Sequence, residues 1–360
     1  MSHRTTLLLA LLLLALPPEL DAAAIGEADY ARTATALTDE VALPAVAAFT
    51  TVSADFANEM AVFCAAADGD PATIRAGFLG LMDAWQHVQP LDFGPLRAGD
   101  GPARFEYWPD RRGIGARQLA RVLKSADSSV TSAESLAGKS VALGDLQALE
   151  RLLFGDADGP ALDPFRCAYA SAIAELQALR AAALLAAWEG PDGQAAAMRG
   201  AARGNELYYD AAEAVGDYLG ALTHGLQFVA QAKLQPVLGH DTKTARPRAA
   251  ESWRSSHSIA NITANLATLE TLVAAPGGLG DLAARAGDPL IGRTLRDMIE
   301  DARERLLALD QPLALLVRDT DAHAELTAIA DQLDRAHRLA EHTLAEALLL
   351  IAGFNASDGD

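Results

Sequence analysis

Apolar residues recur at helical spacing over most of this chain, and no other feature constrains its fold as strongly. Between positions 38 and 67, for example, Val46, Phe49, Phe56 and Met60 fall on one face of a helix. Alanine is abundant, whereas aromatic residues make up only 6% of the sequence. Because strands prefer aromatic and β-branched side chains, this composition favours close-packed helices. The sequence therefore predicts an all-α protein.

The predicted helices are separated by polar turns rich in Gly, Pro and Asp. They cover residues 38–67, 71–89, 114–125, 141–154, 163–189, 204–234, 251–275 (beginning near Ser252), 289–309 and 320–352. Long helices joined by short turns are typical of bundles, and the length of 360 residues predicts two of them. We place the first helical bundle in residues 25–160 and the second in residues 161–360. Phe154–Gly159 resembles Phe354–Gly359, which predicts a duplication; two unrelated helix ends are the alternative.

The N-terminus has the organisation of a secretory signal peptide. Arg4 precedes the apolar run Leu7–Leu16, which is followed by Pro17-Pro18 and by the small residues Ala22–Ala24. That run is well short of the roughly 20 residues that span a bilayer, so a retained anchor is the less favoured alternative. We therefore expect residues 1–24 to be removed and the mature chain to be periplasmic, without a transmembrane segment.

The net charge argues against one class of partner, and the two cysteines predict a covalent link within the chain. The chain has 29 Lys and Arg against 48 Asp and Glu, a net charge of −19, which repels a phosphate backbone and argues against a nucleic-acid partner. Cys64 and Cys167 are the two cysteines, and in an oxidising compartment we expect a disulfide between them. Two separate thiols are the alternative.

Common enzyme motifs are absent from the sequence: it contains no G-x-S-x-G elbow, P-loop or H-E-x-x-H motif. Near the C-terminus, His337, Glu341 and His342 include residues one helical turn apart, the spacing at which two side chains can share a metal ion. Ion pairs on a solvated helix face are the alternative interpretation, so these residues are weak metal candidates.

The predicted helix at 141–154 carries Glu150 and Arg151 within a run of leucines. A carboxylate amid so much apolar surface requires a partner, because an unpaired buried charge is costly. Glu150 and the neighbouring Gln147 therefore form either a binding site or a structural hydrogen-bonded pair. We interpret Trp85 and Trp253 as core residues.

Five blocks of sequence together resemble the imelysin-like family of bacterial exported proteins. They are Ala84–Pro95, Phe105–Arg111, Gln147–Phe154, Trp253–Ile262 and Gly353–Asp360. The resemblance implies an all-helical fold of two bundle-like halves related by duplication, with the functional site between them. Members of the family are described both as metallopeptidases and as iron-regulated proteins linked to iron uptake.

The metal-binding motif of this family is incomplete in the chain. The family pattern Gly-x-His-x-x-Glu aligns with Asp145, Gln147 and Glu150, so only the glutamate is retained. Glutamine is a poor substitute for imidazole as a ligand of zinc or iron. The resemblance therefore places the chain in a branch that lacks the histidine, and the cofactor stays unknown: iron, another divalent metal or haem.

Two hypotheses about function follow from this resemblance. In the first, the protein is a binding component of iron or haem uptake, with a small ligand or an iron-uptake or outer-membrane protein as its partner. The cleft between the bundles would then bind through Gln147, Glu150, Trp108, Asp110, Arg111 and Arg254, the last of these on the opening turn of a helix. In the second hypothesis, the protein is an imelysin-type metallopeptidase. Glu150 would then be the general base, and the metal ligands would come from His257, His337 or His342.

Overall fold

A computed structural model describes residues 25–66, 69–155 and 162–350. Within these ranges all regular secondary structure is helical, which confirms the predicted all-α class. The predicted signal peptide, the bundle boundary at residue 160 and the C-terminal block 353–360 lie outside the described residues. The division into two bundles and their duplication stay predictions.

The helices follow one another with short connections. Before residue 160 they are α1 (Glu27–Leu37), α2 (Leu43–Ala65), α3 (Pro71–Val88), α4 (Ile114–Ser125), α5 (Ala133–Ala137) and α6 (Leu146–Phe154). After it they are α7 (Pro164–Glu189), α8 (Gln194–Gly200), α9 (Ala211–Gln227), α10 (Gln235–Leu238), α11 (Ser258–Ala274), α12 (Leu279–Arg285), α13 (Pro289–Leu307), α14 (Leu313–Leu316), α15 (Thr320–Arg338) and α16 (Ala345–Ala347).

Aspartate side chains cap the start of many of these helices. The carboxylate accepts a backbone N–H of the first turn at the N-termini of α3, α6, α7, α9, α13 and α15, where the capping residues are Asp70, Asp145, Asp163, Asp210, Asp288 and Asp319. Three of the caps precede a proline, which fits the first turn because its missing N–H would have no helical partner. Negative charge at this end also complements the helix dipole.

Three of the long helices contain a π-helical segment. Thr38–Ala42 joins α1 to α2, Phe228–Leu234 follows α9, and Leu339–Leu344 follows α15. A π-turn shifts the face that the following residues present and is often found at functional sites. The second segment is important for the site, because it contains the buried Lys233.

The longest helices pack into one continuous core. Helix α2 packs most extensively on α7, and α11 on α13 and α3. The stacked rings of Trp85 and Phe105, with centroids 4.9 Å apart, lie in this core. Cys64 in α2 and Cys167 in α7 form a disulfide with a Cα–Cα distance of 5.6 Å, so the predicted bond is confirmed and ties together the two parts of the chain.

Four predicted helix starts are wrong. The helix expected from residue 38 continues a helix that begins at Glu27, and the helix expected from residue 141 begins at Leu146, where Asp145 caps it. The helix expected from residue 204 begins at Ala211, because Asp210 caps it there and residues 204–210 form a loop. The helix expected near Ser252 begins at Ser258. Ser252 and Ser256 have φ values of 50° and 59°, a left-handed conformation that a right-handed helix does not accommodate.

Two helical stretches, Glu27–Ala65 and Pro164–Arg203, are long and apolar enough to cross a membrane by length and composition. The core helices of soluble proteins meet the same criterion, and α2 and α7 within these stretches pack on each other. The expectation that the mature chain has no transmembrane segment stays a prediction.

Candidate functional site

A cleft of about 690 Å³ opens between two distant parts of the chain. One wall comes from residues 107–119, 142 and 145–151, and the other from residues 232–254. Of the six residues predicted to bind a ligand, five line the cleft: Trp108, Asp110, Arg111, Gln147 and Arg254. The sixth, Glu150, is fully buried on the same helix as Gln147. The structure therefore brings the predicted residues to one place.

The loop before α4 is fixed by Asp110. Its Oδ1 accepts the backbone N–H of Ile114 at 2.7 Å, and its Oδ2 accepts that of Ala116 at 3.1 Å. Trp108 on the same loop packs edge-on against Phe228, with ring centroids 6.0 Å apart. These contacts fix the loop, which forms part of the first wall of the cleft. Arg111 is exposed at the rim.

Asp145 joins this loop to the start of α6. Its Oδ1 caps the helix at the N–H of Ala148, 2.8 Å away, and its Oδ2 accepts the N–H of Tyr107 at 2.7 Å. Burial raises the pKa of Asp145 to about 7, against the opposing effect of these hydrogen bonds. Asp145 thus has a structural role in this chain.

Gln147 is a partner of a buried carboxylate that the sequence reasoning did not identify. Its Nε2 donates to Glu106 Oε1 at 2.7 Å, and the indole Nε1 of Trp85 donates to Glu106 Oε2 at 2.7 Å. Burial, followed by the charge of Glu251, raises the pKa of Glu106 to about 8, while Lys233 and these hydrogen bonds oppose the shift. Gln147 therefore supports a hydrogen-bond network around this carboxylate.

Lys233 extends this network across the molecule. Its Nζ donates to Glu251 Oε2 at 2.7 Å and to Gln86 Oε1 at 2.6 Å, and both charged side chains are buried. Asn261 Nδ2 donates to the same Glu251 oxygen at 2.7 Å. The ion pair therefore connects α3, the π-segment of residues 228–234 and the irregular segment before α11.

Glu150 holds that irregular segment against α6. Its Oε1 accepts both the backbone N–H of Ser255 at 2.9 Å and the Ser255 hydroxyl at 2.8 Å. Its Oε2 is buried without a hydrogen-bond partner among the described residues. Burial raises the pKa of Glu150, although Ser255 and the charge of Arg254 act in the opposite direction.

Trp253 was interpreted from the sequence as a core residue, but it also lines the cleft. The guanidinium carbon of Arg254 lies 4.3 Å from the centre of its ring, and that of Arg248 lies 5.3 Å from it. Arg254 does not lie on the opening turn of a helix, because α11 begins four residues later at Ser258. Its orientation comes from the indole instead.

The residues at this site do not fit the metal centre that the family resemblance implies. The amide nitrogen of Gln147 faces Glu106, so this side chain presents a donor N–H to the carboxylate and not a ligand atom to a metal ion. Among the described residues no three His, Cys, Asp or Glu side chains are grouped so that they could hold a metal ion. These residues therefore do not support a metal-dependent reaction at the site.

The candidate metal ligands lie apart from the cleft. His257 Nε2 is 2.7 Å from Asp83 Oδ1, and His337 Nδ1 is 3.0 Å from the carbonyl oxygen of Thr223. His337 and His342 approach Glu341 at 3.4 and 3.5 Å. None of these side chains lines the cleft described above.

Sequence reasoning missed Glu106, Lys233 and Glu251, together with Arg246 and Arg248 of the cleft. A signal was present for two of them, since Glu106 stands alone among aromatic residues and Lys233 follows a run of mostly apolar residues. Glu251 had none, because its partner Lys233 is 18 positions away. The two arginines are recognisable only from the shape of the cleft.

Comparison with known proteins supports the fold. One similar solved structure is an imelysin-like protein from Psychrobacter arcticum 273-4, with 20% identity and a TM-score of 0.77, covering 92% of this chain and 98% of that one. Another is a candidate iron-regulated protein A precursor from Parabacteroides distasonis ATCC 8503, with 17% identity and a TM-score of 0.74, covering 89% and 96%. No curated protein matches the sequence.

The family is shown by the sequence itself. The Imelysin family model, named for a class of peptidase, matches residues 42–340, which include every helix that builds the cleft. The match covers far more than half of the 360 residues. The chain belongs to the Imelysin family.

Proposed function

We propose that this protein is an exported ligand-binding component of bacterial iron or haem uptake, and that its ligand binds in the cleft between residues 107–151 and 232–254. The observation that carries the proposal is the cleft itself. Its two walls come from parts of the chain far apart in sequence, and buried polar contacts hold them in place. A preformed concave site of this size is typical of small-molecule binding.

The link to iron comes from the family and from one structural relative. That relative is described as an iron-regulated protein A precursor, and export of this chain is supported by the signal-peptide pattern of residues 1–24. We place the mature protein in the periplasm, where an iron-uptake or outer-membrane protein would be its partner.

Peptidase activity is the less supported function. Glu150 is the one carboxylate retained from the family motif, and one of its oxygens is already bound by Ser255. A general base needs a water molecule or a proton within reach and a group that polarises the substrate. Position 147 carries a glutamine, whose amide nitrogen donates to Glu106, and so it offers no imidazole that could hold a metal ion for this purpose.

The test is the amount of iron and haem bound to the protein when it is purified, without chelator, from its native extracytoplasmic fraction. Iron is measured by mass spectrometry and haem by absorbance, for the wild type and for Ala116→Trp, which fills the cleft. Ala54→Trp, on an exposed helix face, is the matched control. We expect stoichiometric iron or haem in the wild type and the control, and its loss in Ala116→Trp. Wild-type protein with neither, or equal content in all three, would overturn the proposal.

A further inference from the structure

The cleft is basic although the protein is acidic. Among the described residues that line it, five are arginines and two are aspartates: Arg111, Arg151, Arg246, Arg248 and Arg254, with Asp110 and Asp145. The whole chain has a net charge of −19. A concave site of one charge sign focuses the electric field and raises the local concentration of ligands of opposite charge. The charge of the cleft therefore selects against free cations.

The two aspartates offset only part of the positive charge of the five arginines, and backbone N–H groups already bind their oxygens. Asp110 accepts from Ile114 and Ala116, and Asp145 accepts from Tyr107 and Ala148. The arginines at the rim are differently placed: Arg111, Arg246 and Arg248 are exposed. Within the described part of the chain, none of these three forms a salt bridge. Their charge is available to a ligand that enters the cleft.

Trp253 orients two of the guanidinium groups. Arg254 and Arg248 lie 4.3 and 5.3 Å from the centre of the indole ring. Stacking on an aromatic face restricts the rotation of a guanidinium group, and the N–H groups of the exposed Arg248 can bind a carboxylate through two parallel hydrogen bonds. Tyr107 and Trp108 add flat apolar surface on the opposite wall.

We infer that the cleft binds a small anion carrying more than one carboxylate group. Arginines from separate segments of the chain can engage separate carboxylates, and the aromatic side chains can cover an apolar body between them. The inference rests on the proposed function, because two iron-bearing ligands share this chemistry: a ferric polycarboxylate chelate, and haem with its two propionates.

The experiment is a calorimetric titration of the purified mature protein, without residues 1–24, with three probes: ferric citrate, citrate alone and haemin. Arg246→Glu/Arg248→Glu reverses two charges of the cleft, and Arg203→Glu/Arg338→Glu makes the same change at exposed positions outside it. Thermal unfolding verifies that each variant folds. We expect ferric citrate or haemin to bind the wild type, and the cleft variant to bind it about tenfold more weakly or worse, because two charge-assisted hydrogen-bonding groups are lost. The surface variant should bind as the wild type does.

Each outcome distinguishes the ligand or decides the inference. Binding of ferric citrate and citrate identifies a polycarboxylate as the ligand, whereas binding of haemin identifies the propionates as the anionic groups. Either result supports the inference if the cleft variant binds that probe more weakly than the wild type does. If the cleft variant binds as tightly as the surface variant, the inference is wrong while the proposed function stands. If the wild type binds none of the three probes, the inference is also wrong, and the iron and haem content of the native protein decides the proposed function separately.

Discussion

The side chain of Lys233 is almost completely buried. A fully buried ammonium loses the hydration that it has in the unfolded state, and this loss is compensated only if other groups satisfy its charge and its hydrogen bonds. Glu251 supplies the charge at 2.7 Å, and Gln86 supplies a further acceptor at 2.6 Å. The stability of the site therefore depends on all three residues together.

Removal of one charge from this pair should be costly. Lys233→Met leaves Glu251 buried and uncompensated, so we expect the free energy of unfolding to fall by about 3–5 kcal/mol. The double variant Lys233→Met/Glu251→Gln should recover part of this loss, because no uncompensated charge is left. Urea denaturation measures both values. A loss below about 1 kcal/mol for the single variant, the range of surface ion pairs, would show that the pair is solvated.

Glu106 should make stability depend on pH. Its pKa is raised from 4.5 to about 8 in the folded protein, so between these values the folded state retains a proton that the unfolded state has released. The free energy of unfolding should therefore fall as the pH rises from about 4.5 to about 8, and Asp145 contributes in the same direction up to about 7. Lys233 and Glu251 are the charges that act on Glu106.

Denaturation of Glu106→Gln at several pH values tests this expectation. Glutamine does not titrate, so the slope of stability against pH should become shallower than in the wild type. Glu206→Gln, at an exposed position, should keep the wild-type slope. An unchanged slope in Glu106→Gln would mean that Glu106 is ionised throughout the range.

The site residues that could be predicted are those that a local sequence pattern marks, although their own hydrogen-bond partners lie far away in sequence. Gln147 and Glu150 share one short helix, so a leucine-rich helical pattern was enough to single them out. Glu251 depends on Lys233 and on Asn261, which are brought to it by the irregular segment before α11. No local sequence pattern predicts that these three side chains are in contact, so the role of Glu251 is visible only in the folded structure.

At the scale of elements, helices with an Asp-Pro start were predicted well and irregular segments were not. Asp70-Pro71 and Asp163-Pro164 mark the first turns of α3 and α7, because the side chain and the ring act within a few residues of each other. Residues 251–257 were predicted as the start of a helix, because Ser252 is of a type that commonly begins one. The buried pairing of Glu251 and the binding of Ser255 by Glu150 hold them in turns instead.

The close approach of α12 and α13 gives a prediction at this scale. A Cβ atom added at Gly292 would lie 2.6 Å from the Cα atom of Gly280, so backbone must move. We expect Gly292→Ala to lower the free energy of unfolding by about 1–3 kcal/mol, as overpacking does. In α9 a Cβ atom at Gly216 meets nothing within 4 Å, so Gly216→Ala should be neutral or stabilise by about 0.5–1 kcal/mol. Equal stability of the two variants in urea denaturation would contradict this packing.

At the scale of the whole molecule, the distribution of charge separates the cleft from the rest of the surface. The excess of acidic residues argues from composition against nucleic acid as a partner, yet composition averages over position. The arginines of the cleft come from residues 111–151 and 246–254, and only folding collects them. An acidic surface also retains cations without specificity, so iron content alone does not locate a site.

The most direct test of the central claim, that the cleft holds an iron-bearing ligand, is therefore the position of iron. Crystals grown from protein purified without chelator are measured at the iron absorption edge, and the anomalous difference map locates the metal. We predict one strong peak inside the cleft, between the Trp108 and Trp253 side chains of its two walls. A strong peak at acidic groups outside the cleft, with none inside it, would mean that the cleft does not hold the iron.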